Sequence, residues 1–178
     1  MAASSRNGSF ETVVLPHLDA AHNLARWLMR DRVAAEDVLQ EALLRALTYF
    51  PGFRGVNPRA WLLQIVRNTA YGSLALERGA ELVPIARSEA SDGPGADLPS
   101  GEDDPERALI KSRERCRARA LIAALPVELR ETLVLRELEE LSYKEIAEVT
   151  QTPIGTVMSR LWRARRSLLA AAKTEPGR

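Results

Sequence analysis

Apolar residues recur along this chain every three to four positions, the spacing of helices that bury one face. A first apolar pattern starts at Phe10 and is interrupted by Pro16, which should break or kink the helix there. Leu18, Ala21, Leu24, Ala25 and Leu28 then mark a helix ending near Arg30. Between Asp31 and Phe50, Val38, Leu39, Ala42, Leu43, Ala46, Leu47 and Phe50 predict a buried face, and Asp37, Gln40, Glu41 and Leu44 run along the other side. Pro51-Gly52 ends that helix. Asn57, followed by Pro58 at the first helical position, predicts the cap of a helix reaching about Leu76 and burying Leu62, Ile65, Val66 and Ala70. Beyond a break, Asp104-Pro105-Glu106 should start a helix with acid at its positive end. Leu109, Ile110, Cys116, Leu121, Ile122 and Leu125 follow as its core positions, and Pro126 opens another helix built on Leu129, Leu133, Val134 and Leu138.

The stretch from Leu141 to Arg166 predicts two short helices on a tight turn. Ser142 followed three residues later by Glu145 is a capping box, placing a helix start at Tyr143. Thr150-Gln151-Thr152 is too short and polar for anything but a turn. Thr152 should cap the second helix, with Pro153 at its first position. Ile154, Val157, Leu161, Ala164 and Leu168 fall in one apolar stripe, and Thr156, Ser159, Arg160 and Arg163 form a row on another side. From Pro153 to Lys173 five residues are basic (Arg160, Arg163, Arg165, Arg166, Lys173) and none is acidic. Hydroxyls near a helix N-terminus with arginines further along suit a major groove flanked by phosphates. A plain solvated amphipathic helix would share this pattern, so the rest of the chain decides.

Composition sharpens the picture in two places. The formal net charge is only +1, but the charge is segregated. From Ser88 to Glu106 there are seven acidic residues and no basic one, so the remainder is clearly basic. The same stretch is rich in Gly and Pro and too poor in apolar residues for a core, and it predicts a flexible acidic linker over 83–105. The expected organisation is therefore all-α: a disordered start over 1–9, a helical domain over 10–82, the linker, a second helical domain with the helix-turn-helix over 106–173, and a tail over 174–178. No apolar run is long enough to span a bilayer, and the N-terminus has no signal core, so a cytoplasmic location with no membrane insertion is expected. Cys116 is single and reads as a small core residue. His17 and His22 point roughly 140° apart on a helix and cannot share a metal there. No metal or other cofactor is expected.

One more segment carries candidate chemistry. The helix after Pro58 bears Arg59, Arg67, Asn68 and Tyr71 beside Trp61, and Arg54 lies in the loop before it. Arginine mixed with aromatic residues is how single-stranded nucleic acid is held, bases stacking on rings while arginines take the phosphates. A core tryptophan with solvated arginines is the competing reading, and for Trp61 the more natural one.

The second lobe resembles the C-terminal domain of bacterial extracytoplasmic-function sigma factors, through Leu125-Pro126, the run Leu141 to Ala147, Pro153 to Leu161 and Arg163-Ala164-Arg165. The first lobe looks like the same family's N-terminal domain through Ala35-Glu36-Asp37 with Gln40-Glu41, and Trp61-Leu62 with Ile65, Arg67 and Asn68. The resemblance covers nearly the whole chain. It implies two helical domains, regions 2 and 4, that bind core RNA polymerase and direct it to particular promoters. By position it implies that Asp37, Gln40, Glu41 and Leu44 dock on the polymerase. It implies further that Arg54, Asn57, Arg59, Trp61, Arg67, Asn68 and Tyr71 meet the single-stranded −10 element. Pro153, Thr156, Ser159, Arg160, Arg163 and Arg166 would then meet the −35 element as duplex. An anti-sigma factor is implied as a further partner class. Two departures stand out: Gln151 where the family often has glycine, and Tyr71-Gly72-Ser73 where it has a polar, arginine-bearing sequence.

A stand-alone helix-turn-helix regulator is the alternative, since such modules also occur in dimeric activators. It leaves the first lobe unexplained. A helical adaptor without DNA contact sits poorly with the all-basic last helix. No Ser/His/Asp or Cys/His constellation, metal spacing or phosphate loop points to an enzyme.

Overall fold

The structure, a computed structural model, describes residues 9–29, 31–80 and 105–174. Apart from Ser9, Pro105 and Thr174, the expected disordered start, acidic linker and tail lie outside the described residues. The described residues form helices joined by turns and short loops, with no strand among them. In the first lobe these are α1 (Phe10–Val13), a 3-10 turn (Leu15–His17), α2 (Leu18–Leu28), α3 (Arg32–Tyr49) and α4 (Pro58–Ala80). The second lobe comprises α5 (Pro105–Ala123), α6 (Val127–Glu137), α7 (Tyr143–Thr150) and α8 (Ile154–Thr174).

Local chemistry sets the boundaries. Ser9 caps α1, and Pro16 sits in the 3-10 turn that separates α1 from α2. The Asp31 carboxylate accepts from the Ala34 N–H at 2.9 Å to cap α3, and the Asn57 side chain accepts from Ala60 at 3.0 Å to cap α4. The Ser142 capping box forms in full, its hydroxyl taking the Glu145 N–H while Glu145 takes the Ser142 N–H. The α7–α8 turn closes with Gln151 in the left-handed region at φ 53°. The next helix begins one residue later than expected: Pro153, not Thr152, supplies the first carbonyl to α8, and the Thr152 hydroxyl pairs with that of Thr150 at 2.8 Å.

α2, α3 and α4 pack around Leu24, Leu28, Val38, Leu62, Leu63 and Val66, and α6, α7 and α8 around Val134, Leu135, Ile146, Val157 and Leu161. Six core expectations are overturned, two of them by Leu138, just past α6, and Ile154, at the start of α8, which are both exposed. Leu47 faces out, because α3 buries a stripe of alanines and Val38 narrow enough for close approach to α2 and α4. Leu109 and Ile110 are exposed, and so is Cys116, because α5 touches its lobe mainly through α8 at its C-terminal half.

The two lobes are not separate bodies. α2 lies on α6 and α4 on α7, and the buried apolar residues of both lobes form one continuous cluster. That contact decides what the candidate surfaces can reach.

Candidate nucleic-acid interface

Three surfaces carry the expected functional residues. The first is the outer face of α8. Pro153, Ser159, Arg163 and Arg166 are exposed there and Thr156 is half-buried. The Ser159 hydroxyl donates to the Thr156 carbonyl at 2.9 Å, and the Arg166 guanidinium lies over the exposed Trp162 ring at 5.0 Å. A helix held by a tight turn, with its N-terminal hydroxyls and following arginines in water, is shaped to enter a major groove. Arg160 does not belong to that row. It is half-buried, with Nη1 enclosed and without a hydrogen-bond partner, and its charge acts on Glu131 of α6 in the same lobe.

The second surface is on α4 and the loop before it. Arg54 is exposed and folds back on the carbonyls of Pro51 and Phe53 at 2.9 and 3.0 Å. Trp61 is half-buried, its ring 4.7 Å from that of Phe53, which in turn stacks on Phe50. Asn68 is exposed and accepts from Arg67 at 3.3 Å. The other four residues are engaged by acids of the second lobe. The Asn57 amide donates to Glu145 at 2.8 Å. Arg59 donates to Glu139 at 2.7 Å, and Asn23 of α2 takes the other oxygen of Glu139 at 2.5 Å. Arg67 donates to Glu131, and the Tyr71 hydroxyl donates to the second Glu131 oxygen at 2.6 Å, with the Arg67 guanidinium 4.4 Å over the Tyr71 ring.

Glu131 is wholly buried. Burial pushes its carboxyl up from the ordinary range, against the pull of Arg67, Tyr71 and Arg160. Burial, then the charge of Glu131, holds the Tyr71 phenol far above the usual tyrosine range, so it stays a neutral donor. Glu145 is held below the usual carboxylate range, first by the Ser142 backbone N–H and then by the Ser142 hydroxyl, with Asn57 and Arg59 adding to the effect.

The third surface is the outer face of α3. Asp37, Gln40, Glu41 and Leu44 are all exposed, Leu44 at 62%, and Glu41 pairs with Arg45 at 2.7 Å. Val33 and Leu47 extend this row to the spacing 33, 37, 40, 44, 47, a four-three alternation along one side of the helix. Sequence reasoning missed both ends, since Leu47 had been placed in the core. The three carboxylates Glu131, Glu139 and Glu145 were missed as well. Glu131 sits between core leucines on α6, and its partners lie sixty or more positions away, so periodicity carried no signal for it.

Residues 13–78 match the family described as Sigma-70 region 2, and residues 117–168 match Sigma-70, region 4. The chain is 35% identical over 162 residues to the RNA polymerase sigma-H factor of Pseudomonas aeruginosa, covering 90% of this chain and 84% of that protein. It is 34% identical over 134 residues to the ECF RNA polymerase sigma-E factor of Escherichia coli K12, covering 74% of this chain and 70% of that one. The chain belongs to the extracytoplasmic-function sigma factors. The sigma factor RpoE of Bartonella quintana, solved with the anti-sigma factor NepR, superposes with a TM-score of 0.70 at 25% identity, covering 94% of this chain and 98% of that one. CnrH, solved with the cytosolic domain of CnrY, has the same fold, with a TM-score of 0.65 at 23% identity and coverage of 98% and 94%.

As a sigma factor the chain directs RNA polymerase to initiate transcription at promoters. Its region 4 match contains α6, α7 and most of α8, and its region 2 match contains α2, α3 and most of α4. Among the described residues no helix is long and apolar enough to cross a membrane, and no cluster of metal-ligating side chains occurs.

Proposed function

We propose that this alternative sigma factor divides promoter recognition between its lobes, with region 2 spanning 10–82 and region 4 spanning 106–173. In this reading the outer face of α3, through Asp37, Gln40, Glu41 and Leu44 with Val33 and Leu47 at its ends, docks on core polymerase. A four-three stripe of exposed apolar and acidic side chains suits a helical partner better than it suits water. The −10 element is melted and held as a single strand by Arg54, Asn57, Arg59, Arg67, Asn68 and Tyr71, with Trp61 beside them. Extracting a base from the stack costs a few kcal/mol, which is why aromatic rings and arginines must converge at that place. The −35 element is read as duplex by Pro153, Thr156, Ser159, Arg163 and Arg166. Arg160 joins that row only if it is released from the interior.

The observation that carries the reading is the α7–α8 unit: a full capping box, a left-handed turn residue, and a second helix with hydroxyls and arginines in solvent but no acid on it. Such a helix neutralises few phosphates, so the isolated protein binds promoter DNA weakly and depends on polymerase for tight contact. The factor works beside the chromosome, in the cytoplasm, as a specificity subunit for an enzyme it does not itself supply. The likeness to a factor solved with an anti-sigma factor supports a partner of that class here.

The test is transcription from mapped start sites with Arg163→Ala and Arg166→Ala. A bidentate base contact is worth about 1–3 kcal/mol, so each variant should lose roughly tenfold or more of its promoter activity at unchanged helicity. Full activity in both variants removes the −35 assignment. A tight, symmetric footprint without polymerase points to a free-standing regulator instead.

A further inference from the structure

Trp162 is the largest apolar side chain that α8 leaves in water, at 60% exposure. Single exposed apolar residues are common on protein surfaces, so its direction matters more than its exposure. An α-helix turns about 100° per residue. Val157, Leu161 and Ala164 are the buried residues of α8, and the line opposite them falls between Ser159 and Arg166. By the same helical step Trp162 lies about 50° to one side of that line and Arg163 about 50° to the other. The tryptophan is therefore presented to a major groove as directly as the arginine is. Periodicity did not single it out, because it stands outside both the buried stripe and the row of hydroxyls and cations.

A second observation ties it to that row. The Arg166 guanidinium lies 5.0 Å from the centre of the Trp162 ring, a cation–π contact between two exposed side chains of the reading face. What a groove offers to such a ring is limited. Base edges in the major groove present donors and acceptors, with one apolar group among them, the 5-methyl of thymine. Laid against an amino or carbonyl edge, the apolar face of the indole would displace water from a polar group and return no hydrogen bond. Against a methyl group it removes apolar surface from water on both sides.

We propose that Trp162 is a specificity residue of the −35 reading surface, its indole packed on the 5-methyl group of a thymine in the major groove. This rests on the −35 assignment made above. It adds what the hydroxyls and arginines do not supply, a selection for thymine at one position of the element, on either strand.

The test uses the full chain with core polymerase on a promoter whose start site has been mapped. Every thymine of the −35 element is replaced by deoxyuridine, which removes the methyl groups and leaves each base-edge donor and acceptor in place. The natural chain should lose about fourfold in initiation, the worth of one buried methylene. Trp162→Ala should initiate less on the thymine template and no longer distinguish it from the uracil one, and Trp162→Phe should restore much of the distinction. Arg166→Ala should weaken both templates alike and keep their ratio. Equal initiation by the natural chain on the two templates overturns the inference, as does a thymine preference that survives in Trp162→Ala. Reduced retention of Trp162→Ala on core polymerase, with the preference intact, assigns the ring to a protein contact instead. Full activity in both Arg163→Ala and Arg166→Ala is the separate failure of the −35 assignment itself.

Discussion

At position 151 the turn between α7 and α8 needs a left-handed backbone and the chain supplies a glutamine. That conformation costs a residue with a Cβ about 1 kcal/mol, and glycine escapes the cost. Gln151→Gly should therefore stabilise region 4 by up to about 1 kcal/mol, less the greater freedom of glycine in the unfolded chain. A thermal melt that falls rather than rises would show that the Gln151 side chain contributes something the backbone argument lacks. His17 offers a second residue-scale test. Burial, then the charge of Arg59, lowers its pKa from the usual histidine value of 6.5. Below that value the unfolded chain takes up a proton that the folded chain resists. This part of the stability is thus present at neutral pH and declines as pH falls through 6.5 toward the folded pKa. The group is only partly buried, so the effect is small. Denaturant midpoints measured from pH 7 downward should lose that slope in His17→Gln, and an identical slope would discard the assignment.

Among the elements, α3 shows how far periodicity reaches and where it stops. Its boundaries were legible from Asp31 at one end and Pro51-Gly52 at the other. Its faces were not fully so, because Leu47 and Leu43 are the same residue type in the same register and only close packing through Ala42 and Ala46 decides which one is buried. The consequence is a longer exposed stripe, and with it a sharper prediction. Asp37→Arg should cut retention on immobilised core polymerase severalfold with little change in melting temperature, because the side chain is exposed on the outer face of α3. Undiminished retention would move the docking surface elsewhere. In α8 the turn residues and the apolar stripe were readable, whereas the inward turn of Arg160 was not. Glu131, the group its charge acts on, lies on α6, which no local pattern in α8 records.

For the whole molecule, the number and type of helices and the division into two lobes follow from composition and caps, but the contact between the lobes does not. The chain holds α2 on α6 and α4 on α7 within one continuous cluster of buried apolar side chains, with polar contacts at the seam. Acids such as Glu131 and Glu139 look in sequence like ordinary surface residues of a charged helix and turn. Only the assembled fold reveals that they are buried opposite arginines. Promoter selection itself is tested most directly by run-off transcription from a genomic promoter pool, with purified core polymerase in the presence and absence of this protein. New start sites that need both components, sharing upstream sequences at the −10 and −35 positions, are the predicted result. Start sites that do not change when the protein is added would contradict its action as a sigma factor.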